Sequence, residues 1–131
     1  APGGLGRVTG ARILKGDNDV TGAVFRLHLW TVAPTPTNGD NGALADATGA
    51  AYYIGYIPVD MSTSGLLAFG DGNVGWGLPQ DMGAVTGLVV HCASTDVRLY
   101  GALQAKGTYT PASGEVFTVS LIVENQVVGA L

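Results

Sequence analysis

The residues that could do chemistry in this chain are few: His28 and His91 are the only histidines, and Cys92 is the only thiol. A cysteine nucleophile needs an imidazole within hydrogen-bond reach. His91 and Cys92 are neighbours in LVVHC, an apolar run that reads as a strand, so they point to opposite faces and cannot serve each other. His28 meets one of them only if the fold lays its strand beside that run. The expected state of each histidine is a strand residue satisfied by a backbone or side-chain partner. Cys92 is expected to be buried as a small hydrophobe.

Carboxylates are more numerous but scattered. The stretch GDND, residues 16–19, begins like a calcium loop with Asp17 and Asp19. That loop needs a bidentate Glu at its twelfth position, and His28 stands there, so a polar turn is expected instead. Asp40, Asp46, Asp60, Asp71 and Asp81 could supply the two carboxylates of a glycosidase. Each lies in or beside a predicted turn, however, where Asp is a usual residue. No P-loop, GxSxG or HExxH pattern occurs, and no Asn-x-Ser/Thr acceptor. The expectation is a protein without catalysis, cofactor or metal.

Aromatic side chains remain as binding groups. Trp30, Trp76, Tyr52, Tyr53 and Tyr56 could build a sugar-stacking row or a subunit anchor. Tyr52 and Tyr56 share a strand face with Ile54, which favours packing. Trp76 lies between glycines in GNVGWGLPQ and is expected near a loop as an interface anchor.

The elements that must position these groups are strands. RVTGARILK (residues 7–15) and VFRLHLWTV (24–32) alternate; in the second, Phe25, Leu27 and Leu29 oppose Arg26, His28 and Trp30. Residues 33–51 read as a long loop ending in an Ala-rich patch able to make one helical turn. YYIGYIPVD (52–60) is a further strand, placed at a sheet edge by Pro58. LLAF (66–69) and VGWGL (74–78) flank GDGN as a hairpin, and VTGLVVHC (85–92) reads as a strand covered on both sides. The stretch LYGALQAKGTYTPASGEVFTVSLIVE, residues 99–124, reads as a long antiparallel pair joined by a loop with Pro111 and Gly114. Its predicted inner face sets Phe117, Val119, Leu121 and Val123 against Leu99 and Leu103. The fold class is all-β: a single-domain antiparallel β-sandwich, jelly-roll-like, of about seven or eight strands.

Composition narrows the function. A chain of 131 residues suits one domain. Hydrophobic residues make up 47% and charged residues 12%, about half the usual charged share, which either an extended interface with neighbouring subunits or a surface built from Gly, Ala and Thr would explain. The net charge is −4 and the cations form no cluster, which argues against nucleic acid as a partner. No apolar run approaches the roughly 18 residues of a membrane helix. The sequence opens APGGLG without Met, and a strand follows almost at once, so an N-terminal piece is expected to precede it.

Three segments carry a likeness to a known family: FRLHLWTVAPT followed by DNGALA; AYYIGYIPVD; and LYGALQAKGTYTPASGEVFTVSLIVEN. Together, over roughly residues 8–125, the chain resembles small β-rich proteins encoded among the head genes of tailed bacteriophages. Those are regarded as virion proteins that decorate or cement the capsid. The stretch LLAFGDGNVGWGLPQDMGAV departs from the family's more regular strand pair. The resemblance implies a non-enzymatic protein on the capsid exterior, bridging major capsid protein subunits, often as a homotrimer. A glycan-binding, lectin-like module on the virion surface is the alternative. Residues 1–6 and 125–131 are expected to be extended arms that could add to a neighbour's sheet. The candidate interface residues are Leu5, Trp30, Leu66, Leu67, Phe69, Trp76, Val127 and Val128.

Overall fold

A computed structural model describes residues 5–17, 19, 22–38, 45–62, 67–69, 72–79, 88–91 and 98–126. Among these residues eight strands form: β1 (Leu5–Lys15), β2 (Val24–Trp30), β3 (Tyr53–Asp60), β4 (Leu67–Phe69), β5 (Gly72–Gly77), β6 (Leu88–His91), β7 (Tyr100–Ala105) and β8 (Phe117–Gln126). The Ala-rich patch gives one 3₁₀ turn at Ala50–Tyr52. The all-β sandwich of seven or eight antiparallel strands expected from the alternation is what forms.

The larger sheet has five strands and is built around β1. Along one side β1 pairs β8 over its whole length, from Leu5↔Gln126 to Lys15↔Phe117. Its other side is divided: β6 takes Leu5 to Val8 and β5 takes Ala11 to Lys15. The β4–β5 hairpin completes the sheet, as LLAF and VGWGL predict. The smaller sheet runs β3–β2–β7, with β3 at the edge where Pro58 put it.

Both sheets turn their apolar faces to one core. Val8, Ala11 and Ile13 from β1 meet Phe25, Leu27 and Leu29 from β2, Ile57 and Val59 from β3, and Leu88 and Val90 from β6. A β-bulge between Val8 and Gly10 shifts the register, so the buried positions pass from even to odd numbers along β1. β5 of the large sheet comes close to β3 of the small one at Gly75 and Gly77. A Cβ on Gly77 would lie 2.3 Å from the Pro58 carbonyl oxygen, and one on Gly75 would lie 2.5 Å from Met61 Cγ. Only glycine leaves room there for β3.

Three expectations need correction. The Leu99–Glu124 stretch is not an antiparallel pair: β7 pairs β2 in the small sheet, and β8 pairs β1 in the large one. The connection, residues 106–116, is longer than the roughly two to five residues of a hairpin, and it crosses from one sheet to the other. The inner face of β8 is also only partly core. Phe117 and Leu121 pack against the buried cluster, but Val119 and Val123 stay 39% and 46% exposed because the small sheet does not cover the edge strand. Finally, residues 5–6 and 125–126 are not arms; they are paired ends of β1 and β8.

One end of the sandwich is closed by a buried charge. Lys15 ends β1 with no solvent exposure, and its Nζ lies 3.5 Å from Glu115 Oε1, itself buried. The ammonium donates to the Asp19 carbonyl at 2.7 Å and to that of Asp17, and sits 5.2 Å from the Tyr109 ring centre. The turn read as the start of a calcium loop thus presents its carbonyls to a lysine. Tyr109 donates its hydroxyl proton to the Glu115 carboxylate, 2.5 and 2.6 Å from the two oxygens. Burial, then the Glu115 hydrogen bond and charge, push the Tyr109 phenol far above its ordinary value. Gly16 N–H donates to the Val116 carbonyl at 2.9 Å, so the 16–19 turn and the 106–116 crossing are joined by backbone as well.

Candidate interaction surfaces

Alternation along β2 points Arg26, His28 and Trp30 away from the core, where they meet residues of β3 and β7. His28 sits at the centre of an aromatic group. Its ring centre lies 6.0 Å from Trp30, 5.9 Å from Tyr53 and 5.8 Å from Tyr56. Gln104 Oε1, an acceptor, stands 2.8 Å from Nε2, so that nitrogen carries the proton. Nδ1 therefore accepts from the Tyr53 hydroxyl at 2.9 Å. The histidine is satisfied by side chains on both neighbouring strands, as the bland expectation for it had it.

Burial, aided by the charges of Arg26 and Lys106, lowers the His28 pKa from 6.5 although the Gln104 hydrogen bond opposes it. Its folded value is depressed, so the unfolded chain binds the proton more readily. The stability His28 contributes is present above about pH 6.5 and is lost as pH falls toward the folded pKa. Thermal melts from pH 8 to pH 5 should show a falling Tm, and His28→Gln should flatten that fall. An unchanged slope in the variant would assign the pH response elsewhere.

Trp30 is not the exposed platform expected of it. The loop after β2 folds back over it, leaving it 4% exposed. Asp46 Oδ1 accepts the Thr35 N–H at 2.6 Å and the Thr48 N–H at 3.1 Å, and the Trp30 side chain donates to the same carboxylate. Burial works against the charged Asp46, but the donors from Thr48, Thr35 and Trp30 outweigh it and hold the carboxyl below its usual range. A bridge between Pro36 and Asp46 completes the fold-back. The result is a cleft of 280 Å³ lined by His28, Trp30, Asp46, Thr48, Ala50 and Tyr53. Asp46 Oδ2 is buried there without a hydrogen-bond partner among the described residues.

The second surface is the outer face of the five-stranded sheet. Arg12 stands opposite Trp76 on one side and Ser120 on the other, so all three share this face. Gly10 opposite Ile122 belongs to it too. The Arg12 guanidinium lies 5.7 Å from the Trp76 ring centre. Trp76 is 64% exposed and Ile122 50%, and Leu78 just beyond β5 is 74% exposed. Trp76 is thus presented to the outside from within β5. Alternation already sets Ile122 with Thr118, Ser120 and Glu124 on the face opposite Phe117, Val119, Leu121 and Val123; that this face adjoins Trp76 depends on strand pairing.

Trp76 and Trp30 therefore lie on different sheets, and the single aromatic row does not form. Leu5 opens β1, and Leu67 and Phe69 lie in β4. Leu66, Val127, Val128, Cys92, Asp40, Asp71 and Asp81 lie outside the described residues, as does the side chain of His91. Asp60 caps its own turn, accepting from Ser62 N–H at 2.9 Å and from the Ser62 hydroxyl at 2.6 Å. Among the described residues no three His, Cys, Asp or Glu side chains are grouped to hold a metal ion. Comparison with protein-family models, curated proteins and solved structures finds no match to this chain.

Proposed function

We propose that this is a structural virion protein that decorates and cements a bacteriophage capsid from outside, bridging major capsid protein subunits without catalysis. The observation that carries the reading is the apolar outer face at Trp76, Leu78 and Ile122 on a chain with only 12% charged residues. A surface of this kind is suited to contact with another protein, and an exposed tryptophan beside an arginine is a common energetic anchor. The likeness of three segments to phage decoration proteins supports the same role. The test is binding to intact particles. Trp76→Asp should weaken occupancy about 30-fold, the scale of losing one anchor residue, while leaving the fold intact. Wild-type protein that fails to stay on purified particles would overturn the proposal.

The cleft beside Trp30 favours a second reading, a glycan-binding module. A buried carboxylate oxygen without a donor, next to a tyrosine and a threonine, suits a sugar hydroxyl. Titration of a pyranoside against Trp30 fluorescence, compared between wild type and Asp46→Asn, would decide it.

A further inference from the structure

We infer that the free edge of β8 pairs with the same edge of a second copy of this chain, joining two five-stranded sheets across a two-fold axis. This deepens the assembly reading above by naming the edge, the register and the symmetry.

The direction of the backbone groups follows from two contacts. The Val116 carbonyl accepts from Gly16, and the Ile122 carbonyl accepts from the Thr9 hydroxyl, so both point toward β1. Alternate residues of a strand aim their backbone groups at opposite edges. Phe117, Val119, Leu121 and Val123 therefore offer their N–H and C=O groups to the side away from β1. Among the described residues no strand is paired there.

The other edges are protected and this one is not. β3 carries Pro58, and among the described residues β4 has three and β6 four. β7 is flanked by Arg98 and Lys106. Short length, proline and flanking charge are the usual means of blocking edge pairing. β8 runs ten residues with Glu124 as its one charge, no proline and no bulge of its own. An edge so long and apolar is a template for another strand.

Its sequence selects a second copy as the occupant. In an antiparallel two-fold pairing centred on Leu121, Leu121 faces itself and Val119 faces Val123 of the second copy. Both valines are on the inner face and part-exposed in the single chain, so each covers the other. Ser120 then opposes Ile122, and Thr118 opposes Glu124, so no charge meets its like. The edge-facing residues Val119, Leu121 and Val123 supply about six backbone hydrogen bonds, two per residue pair. The surface is isologous, as a two-fold interface must be.

Solution mass by light scattering tests this on the full chain at micromolar concentrations and above. The expected species is twice 13.3 kDa. A strict monomer, or the trimer implied by the family resemblance, overturns the inference. Val119→Pro removes an N–H that faces the free edge and not β1, so the fold is kept and dimerisation should weaken by about 30-fold, one lost hydrogen bond per subunit. Circular dichroism confirms that the variant is folded. The register is read separately. In a Cys92→Ser background, Ser120→Cys with Ile122→Cys should give a covalent dimer on mild oxidation, since facing non-hydrogen-bonded residues lie about 4.5 Å apart at Cα. No cross-link overturns the register. Wild-type chain that binds particles yet is monomeric in solution would leave the virion reading standing while this one falls.

Discussion

Replacing Lys15 by alanine is expected to cost about 3–5 kcal/mol, a large part of the stability of a domain this size. The ammonium is fully buried, and it holds Glu115 by charge and two turn carbonyls by hydrogen bonds. Without it Glu115 remains as a buried carboxylate with no counter-charge, which is the expensive half of a broken ion pair. Urea unfolding measures the loss. A cost below about 1 kcal/mol would mean that the pair is worth no more than a surface bridge. The triple change Lys15→Met, Glu115→Leu, Tyr109→Phe removes the ion pair and the phenol together, leaving only the Asp17 and Asp19 carbonyls and the Ala112 N–H to find other partners, and should recover much of the loss, because apolar groups of similar volume can replace a buried pair.

The same cluster sets an alkaline limit. Tyr109 keeps its proton in the folded chain well above the pH at which a free phenol loses it. Above about pH 10 the unfolded chain releases that proton and the folded chain does not. Stability from this group is therefore full below about pH 10 and declines as pH rises further, and Tyr109→Phe should remove that decline.

Phe25→Ala is the second large effect, expected at about 3–5 kcal/mol. Phe25 is 2% exposed and meets Tyr109 and Phe117 edge-on, with ring centres 5.3 and 5.6 Å away. Those rings come from the crossing and from β8, so Phe25 is where the small sheet grips the large one. Removing it leaves a cavity that neither ring can fill without moving. Tyr109 also touches Lys15, so the two substitutions share a neighbour. The double variant should lose less than the sum of the single losses, by about 0.5 kcal/mol or more. Strict additivity would show that the aromatic group and the ion pair act separately.

The strands were legible in the sequence because alternation is local. Phe25, Leu27 and Leu29 announce their face without help from any other segment. The partners of each strand were not legible. The two arms of Leu99–Glu124 are neighbours in sequence, and sequential strands pair more often than not. The length of residues 106–116 and their proline were the available sign that this connection leaves its sheet. Lys15 shows the same limit from another side. A lysine closing an amphipathic strand reads as a solvated end, and its carboxylate partner is 100 positions away, where pattern cannot reach. Trp30 was placed on the correct face of β2, but a loop folding back on that face has no periodicity to betray it. Asp46 was read as a turn residue, which it is. Its turn is also the lid on the tryptophan.

The placement of β1 has a consequence in time. Thr9 meets Ile122 across 113 positions of sequence. Of the eight described strands, β1 emerges first during synthesis and its longest neighbour, β8, emerges last. Until then one side of β1 has no backbone partner, and the large sheet has no finished middle. The closing step joins the most distant parts of the chain, a contact whose loop-closure entropy makes folding slow. Among the described strands, the arrival of β8 is what gives β1 its full-length partner and finishes the large sheet.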